Sequence, residues 1–168
     1  GSDFCPVLMD GKLVFVSGRL NRFGVVYSDD QEVLDIYECA QSDSIRFTAP
    51  RSISRRLNSR FNDGPVTFST DRSWMIFSRN TNQGTPVREG SDAENRLQLY
   101  MSHKTGKKWS VPAPLPFCLP EFNYTHPCLS ADQKTLVFSS DMAGTAGGMD
   151  LFASTWENGA WSAPVNLG

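Results

Sequence analysis

The sequence predicts an all-β protein made of about three repeated units, each of four short antiparallel strands, on three observations. Displacing the chain against itself by 61 residues sets Phe61-Asn62 on Phe122-Asn123, Ser69 on Ser130, Asp71 on Asp132 and Phe77-Ser78 on Phe138-Ser139, with no gap. Short alternating or apolar runs bounded by turn residues fill each unit, which is the mark of strands. Helical character is confined to residues 52–59, where the pattern allows one short turn.

The elements follow in order. Gly1-Ser2 reads as the scar of a cleaved tag, and residues 3–62, 63–123 and 124–168 form the three units. The first unit is the most diverged: "DGKLVFVS" (residues 10–17) matches "DQKTLVFSS" of the third with one residue deleted, and its S-x-D turn is lost. The third strands are "LDIYEC", "LQLYMS" and "MDLFAS", which share one alternation. Each is followed by a polar turn and an aromatic, in Phe47-Thr48-Ala49-Pro50, Trp109-Ser110-Val111-Pro112 and Trp161-Ser162-Ala163-Pro164. In the last unit the strands are the segments around "THPCLS", "KTLVFSS", "MDLFASTW" and "AWSAPVNL". "ADQK" and "WENGAW" are hairpin turns, with Asn158-Gly159 supplying the positive φ that a tight two-residue turn needs.

Four antiparallel strands repeated every 50 to 60 residues or so is the pattern of a β-propeller blade, whereas an immunoglobulin-like sandwich has no reason to repeat itself every four strands. Closed propellers have about four to eight blades. Three blades therefore belong to a larger ring, such as a six-bladed one, or are completed by a second copy. The isolated fragment is expected to be a homodimer.

Residues 126–168, "HPCLSADQKTLVFSSDMAGTAGGMDLFASTWENGAWSAPVNLG", resemble the WD-repeat-like, TolB-type propeller repeat. They are similar in particular to the version in Bacteroidetes envelope proteins, where such a propeller lies upstream of an OmpA-like peptidoglycan-binding domain. That architecture is similar to a periplasmic component of the type IX secretion machinery. The match is strongest over the last third, and the connector at residues 80–95, "NTNQGTPVREGSDAEN", departs from it by being much longer than "MAGTAGG". The resemblance implies a non-enzymatic protein-interaction module, periplasmic and outer-membrane associated. Its implied partners are envelope proteins, including secretion-machinery components, with peptidoglycan reached through a domain absent from this chain.

Composition agrees with one soluble domain: 168 residues, 39% hydrophobic, net charge -2. The basic residues are dispersed, so the footprint of a nucleic-acid binder is missing. No run approaches the roughly 18 apolar residues of a membrane span.

The polar residues point to structure before chemistry. Asp71 and Asp132 recur in matching turns, where side-chain bonding to the turn backbone is the ordinary role. Ser69-Thr70-Asp71-Arg72-Ser73-Trp74 resembles the Asp-box of sialidase propellers but lacks its central glycine. No G-x-S-x-G nucleophile elbow occurs. No catalytic residue, cofactor or metal is assigned. The histidines are His103, expected to be exposed, and His126; they lie on different segments and make a poor zinc pair. His126 opens an innermost strand, where it would border a central channel or meet a partner. Asp141 and Asp150 flank the glycine-rich connector, whose spacing is not that of an EF-hand, and are the remaining candidates for channel or partner contacts. Among the cysteines, Cys39 and Cys128 read as small buried strand residues. An envelope location would permit a Cys118–Cys128 disulfide. Trp109 and Trp161 recur and are expected to pack between blades; alternatives to the interaction module are a glycan-binding or sialidase-like propeller and a structural spacer. Glycan binding predicts exposed aromatics and carboxylates clustered on one rim.

Overall fold

The computed structural model describes residues 2–9, 11–19, 33–81 and 96–168. Every regular element within them is a strand, and the strands form three antiparallel sheets in chain order. Blade 1 holds β1 (Asp3–Met9), β2 (Lys12–Ser17), β3 (Asp35–Ala40) and β4 (Arg51–Ser52). Blade 2 holds β5 (Asp63–Phe68), β6 (Trp74–Thr81), β7 (Arg96–Thr105), β8 (Lys108–Trp109) and β9 (Ala113–Pro114). Blade 3 holds β10 (Tyr124–Leu129), β11 (Thr135–Ser140), β12 (Asp150–Glu157), β13 (Ala160–Trp161) and β14 (Val165–Asn166). The first four strands of each sheet lie each beside its predecessor in an up-and-down meander, and β9 and β14 return to pair with β7 and β12. This is the expected all-β propeller segment of three blades. The long connector between β6 and β7 falls mostly outside the described residues.

Register makes the repeat quantitative. Phe15 stands opposite Tyr37, Phe77 opposite Tyr100 and Phe138 opposite Phe152. The ring centroids of these pairs are 6.3, 6.3 and 6.2 Å apart, within the range of favourable aromatic contact. Corresponding residues can therefore be read off one blade to the next.

The fourth strand differs from expectation, because it is broken in every blade. In blades 2 and 3 it is two short pieces, both paired to the third strand; in blade 1 the outer piece shrinks to the single bridge Gln41–Phe47. The break sits at the recurring hydroxyl-x-proline. Proline has no N–H for the ladder, and the hydroxyl two residues earlier takes over a backbone acceptor's place. Thr48 Oγ1 accepts from the Ala40 N–H, Ser110 Oγ from the His103 N–H and Ser162 Oγ from the Thr155 N–H, each at 3.0 Å. The helical character at residues 52–59 reduces to one turn, with the Leu57 and Asn58 N–H groups bonded to the Ser54 carbonyl at 3.2 and 3.1 Å.

A second shared device lies in the first strands. Each carries a β-bulge at a positive-φ residue followed by proline: Cys5-Pro6, Gly64-Pro65 and His126-Pro127. The bulge slips the alternation, so Cys128 is exposed rather than buried, which corrects the period-2 reading; Cys39 is buried as expected. At Gly64 a Cβ would overlap Val16 Cγ2 of blade 1, so glycine permits the close approach of two blades.

The blades stack in sequence. β5 packs on β1, β2 and β3, and β10 packs on β5, β6 and β7, whereas no strand of blade 1 touches one of blade 3 among the described residues. The arc is open. One core fills each junction: Val14, Ile36, Leu57, Met75, Phe77 and Trp109 between blades 1 and 2, and Ile76, Leu99, Leu115, Leu136, Phe138 and Trp161 between blades 2 and 3. Trp109 and Trp161 thus pack between blades.

Candidate functional site

The recurring carboxylates hold their turns through Oδ1. Asp71 Oδ1 accepts from the Ser69 hydroxyl at 2.8 Å and the Ser73 N–H at 3.0 Å; Asp132 Oδ1 accepts from the Ser130 hydroxyl at 2.6 Å and the Lys134 N–H at 3.1 Å. These bonds hold both carboxyls below the usual range, led by the Ser73 N–H for Asp71 and the Ser130 hydroxyl for Asp132. An acid held this way is poorly suited to protonate anything.

His126, Asp141 and Asp150 occupy separate local settings. His126 is exposed at the bulge with φ +52°, where its counterparts are Cys5 and Gly64. Asp141 binds Asn123, accepting from its backbone N–H at 2.5 Å and its amide at 2.7 Å, with Arg96 3.8 Å away. Asp150 accepts from the Ala146 N–H at 2.7 Å and the Asn166 amide at 3.1 Å, which hold it low. Among the described residues no three His, Cys, Asp or Glu side chains come together to hold a metal ion. His103 is exposed. All four cysteines are free thiols, including Cys118 and Cys128, and burial pushes the Cys118 thiol up to about 12.

A charged clamp, not seen in the sequence, sits on the first two blades. The Arg79 guanidinium lies 5.1 and 5.2 Å from the Phe77 and Tyr100 ring centroids, bonds Asp63 at 2.5 Å and donates to the Leu57 carbonyl of the preceding blade's exit segment. Arg19 repeats this on blade 1, 5.1 and 5.4 Å from Phe15 and Tyr37 and 2.8 Å from Asp3. Asp63 is fully buried, and burial pushes its carboxyl up against the opposing pull of Arg79. Beside it, burial and then the charge of Asp63 push Asp35 up to about 7, and among the described residues Asp35 Oδ1 has no hydrogen-bond partner.

The two ends of the arc are unlike. Ile36, Leu99 and Leu151 hold one position on the third strands; the first two are fully buried by the next blade, and Leu151 is 50% exposed. Leu167 donates its N–H to the Leu151 carbonyl just as Leu115 does to Leu99, yet Leu115 is buried and Leu167 is 56% exposed. Val165 and Met149 extend this apolar face. At the other end Phe15 and Tyr37 are each only 7% exposed, so the aromatic pair of blade 1 is covered. What remains there is a cleft of about 260 Å³ lined by Asp3, Phe4, Pro6, Leu13 and Phe15.

Two further clefts lie between blades at their turn ends, in equivalent places. The first, about 460 Å³, is charged: Lys12, Glu38, Arg72 and Lys104 surround Trp109. The second, about 410 Å³, is aromatic: Trp74, Met101, Gln133 and Trp156 take those four positions around Trp161. The sequence keeps these indoles apart on two blades, and only the counterpart positions of the repeat could have revealed them.

Three four-stranded blades stacked in an open arc, each with the same bulge in its first strand and the same broken fourth strand, define a partial β-propeller. No family model matches the chain, and no curated protein matches it. Among solved structures it is similar to the crystal structure of TolB from Acinetobacter baumannii, with 17% identity and a TM-score of 0.49, over 91% of this chain and 29% of that one. The chain thus spans less than a third of that structure's length.

Proposed function

We propose that this chain is a non-enzymatic, protein-binding propeller segment of a bacterial cell-envelope protein, periplasmic and associated with the outer membrane. The observation that carries the reading is the outer face of blade 3, where Leu151 and Leu167 stand exposed at positions that the other junctions bury. An apolar face of this kind on a soluble chain marks an interaction site. The absence of catalysis is supported by the use of the recurring acids as turn ligands and of Asp63 as a clamp on Arg79. No helix among the described residues is long and apolar enough to cross a membrane. The envelope setting, and membership in a type IX secretion component with a separate peptidoglycan-binding domain, rest on the resemblance of residues 126–168.

For the chain by itself the partner is a second copy. Blade 3 offers aliphatic side chains, and blade 1 offers the cleft beside Phe15, the counterpart of the surface on Phe77 where Leu57 packs. Two arcs joined head to tail about a two-fold axis close a ring of six blades. The test of the reading is affinity capture from envelope extract with the wild-type chain and Leu151→Asp. Envelope proteins retained by the first and lost by the second are expected. Capture that survives the substitution, or consists of cytoplasmic proteins alone, contradicts the reading, as does hydrolase activity abolished by Asp71→Asn or Asp132→Asn.

A further inference from the structure

We propose that the cleft between blades 2 and 3 is a binding site for a neutral oligosaccharide, seated on Trp74 and Trp156. The first argument is the comparison with the cleft between blades 1 and 2. Both surround a buried tryptophan in the same place, Trp109 and Trp161, which the cores require. In the first cleft the Lys104 ammonium lies 5.6 Å from the Trp109 ring centroid, and Lys12 occupies the place of Trp74. The fold is therefore satisfied by two lysines where the second cleft has two indoles. Trp74 leans in part on the core between blades 2 and 3, but Trp156 belongs to neither core and is 41% exposed, so its presence beside Trp74 is explained by what the pair faces.

The second argument is geometry. Trp156 is 41% exposed, with its ring 5.2 Å from that of Trp161 and at 68° to it. Trp161 is fixed in the core, so this edge contact holds a solvent-facing indole in a set orientation. The cleft's volume lies within the range of small-ligand sites. Gln133 ties its floor to blade 2 by accepting from the Thr70 N–H at 3.3 Å.

The third argument is the polar rim, and it selects the ligand. His103, Asp132 and Lys134 border the indoles. Asp132 and Lys134 cancel in charge, which favours a neutral ligand over an anion or a cation. Asp132 is ionised and accepts only, whereas Lys134 donates only. A ligand must then give and take hydrogen bonds around an apolar face, and sugar hydroxyls around the C–H face of a pyranose ring do both. A proline-rich peptide, the other ligand suited to aromatic grooves, has no N–H at its prolines to offer Asp132. The site is separate from the open face of blade 3, because Trp156 and Leu151 point to opposite sides of β12.

The test is a tryptophan-fluorescence titration of the chain with cellotetraose, chitotetraose and maltotetraose, and with a proline-rich decapeptide as the contrasting probe. Saturable binding of at least one tetrasaccharide is expected, weakened at least tenfold by Trp156→Lys, which restores the residue type of the first cleft, and by Trp74→Ala. Leu151→Asp, which tests the protein-binding face, is expected to leave the sugar titration unchanged, and Trp156→Lys to leave the oligomeric mass unchanged. The proposal is overturned if no tetrasaccharide saturates at millimolar concentration. It is equally overturned if binding persists in both tryptophan variants with native circular dichroism, or if the decapeptide alone binds.

Discussion

Leu99 and Leu151 occupy the same place on consecutive blades, and one is sealed while the other is half exposed. The same contrast separates Asp63–Arg79, where the acid is fully buried, from Asp3–Arg19, whose side chains are 53% and 36% exposed. A blade's sequence specifies a face, and the neighbouring blade decides whether that face is core or surface. Repeat architectures draw much of their stability from such nearest-neighbour junctions, so equal substitutions at equivalent positions should have unequal effects.

The largest difference is expected for the clamps. Arg79→Ala strands a buried carboxylate and should cost about 3–5 kcal/mol in urea unfolding, whereas Arg19→Ala, on an exposed pair, should cost less than about 1 kcal/mol. Similar losses for the two would show that the buried clamp contributes nothing special. Next come the leucines: Leu99→Ala should cost about 2–5 kcal/mol, and Leu151→Ala only about 0.5 kcal/mol when unfolding is followed at protein concentrations low enough to favour the single chain.

A smaller effect, on the order of 2 kcal/mol, is expected from pH through Asp35. Its carboxyl sits at about 7 in the folded chain against an ordinary value of 3.8. The folded state therefore holds the proton more tightly, so the stability it contributes is fully present below about pH 4 and is lost as pH rises through about 7. Urea midpoints at pH 5 and pH 8 should differ in that direction for the wild type and by less in Asp35→Asn, where the buried Asp63 remains. Asp150, at the corresponding place on the uncovered blade, is held low instead, and its contribution disappears only in acid.

The sequence made part of this plain. Phe61-Asn62 and Phe122-Asn123, the S-x-D turns and the aromatic-hydroxyl-x-proline runs repeat at fixed spacing, because each closes a local hydrogen-bond set. Asn62 and Asn123, for example, both close their own unit by accepting from an N–H at the start of its third strand, at Leu34 just before β3 and at Leu97 in β7. The bulges were harder to see, since Cys5, Gly64 and His126 share only a backbone conformation and the proline that follows. The clamps were invisible for another reason: Arg19 comes four residues after Phe15 and Arg79 two after Phe77, so only space brings them over equivalent rings. The aromatic cleft joins Trp74 of β6 to Trp156 of β12, and no local pattern connects two blades.

The claim that the outer face of blade 3 is an interaction surface is tested most directly by the mass of the purified chain in solution, measured by light scattering over a range of concentrations. The account predicts a species of about twice the 18.7 kDa chain mass that Leu151→Asp converts to a folded single chain. A wild-type chain that stays at 18.7 kDa throughout and melts cooperatively would contradict it.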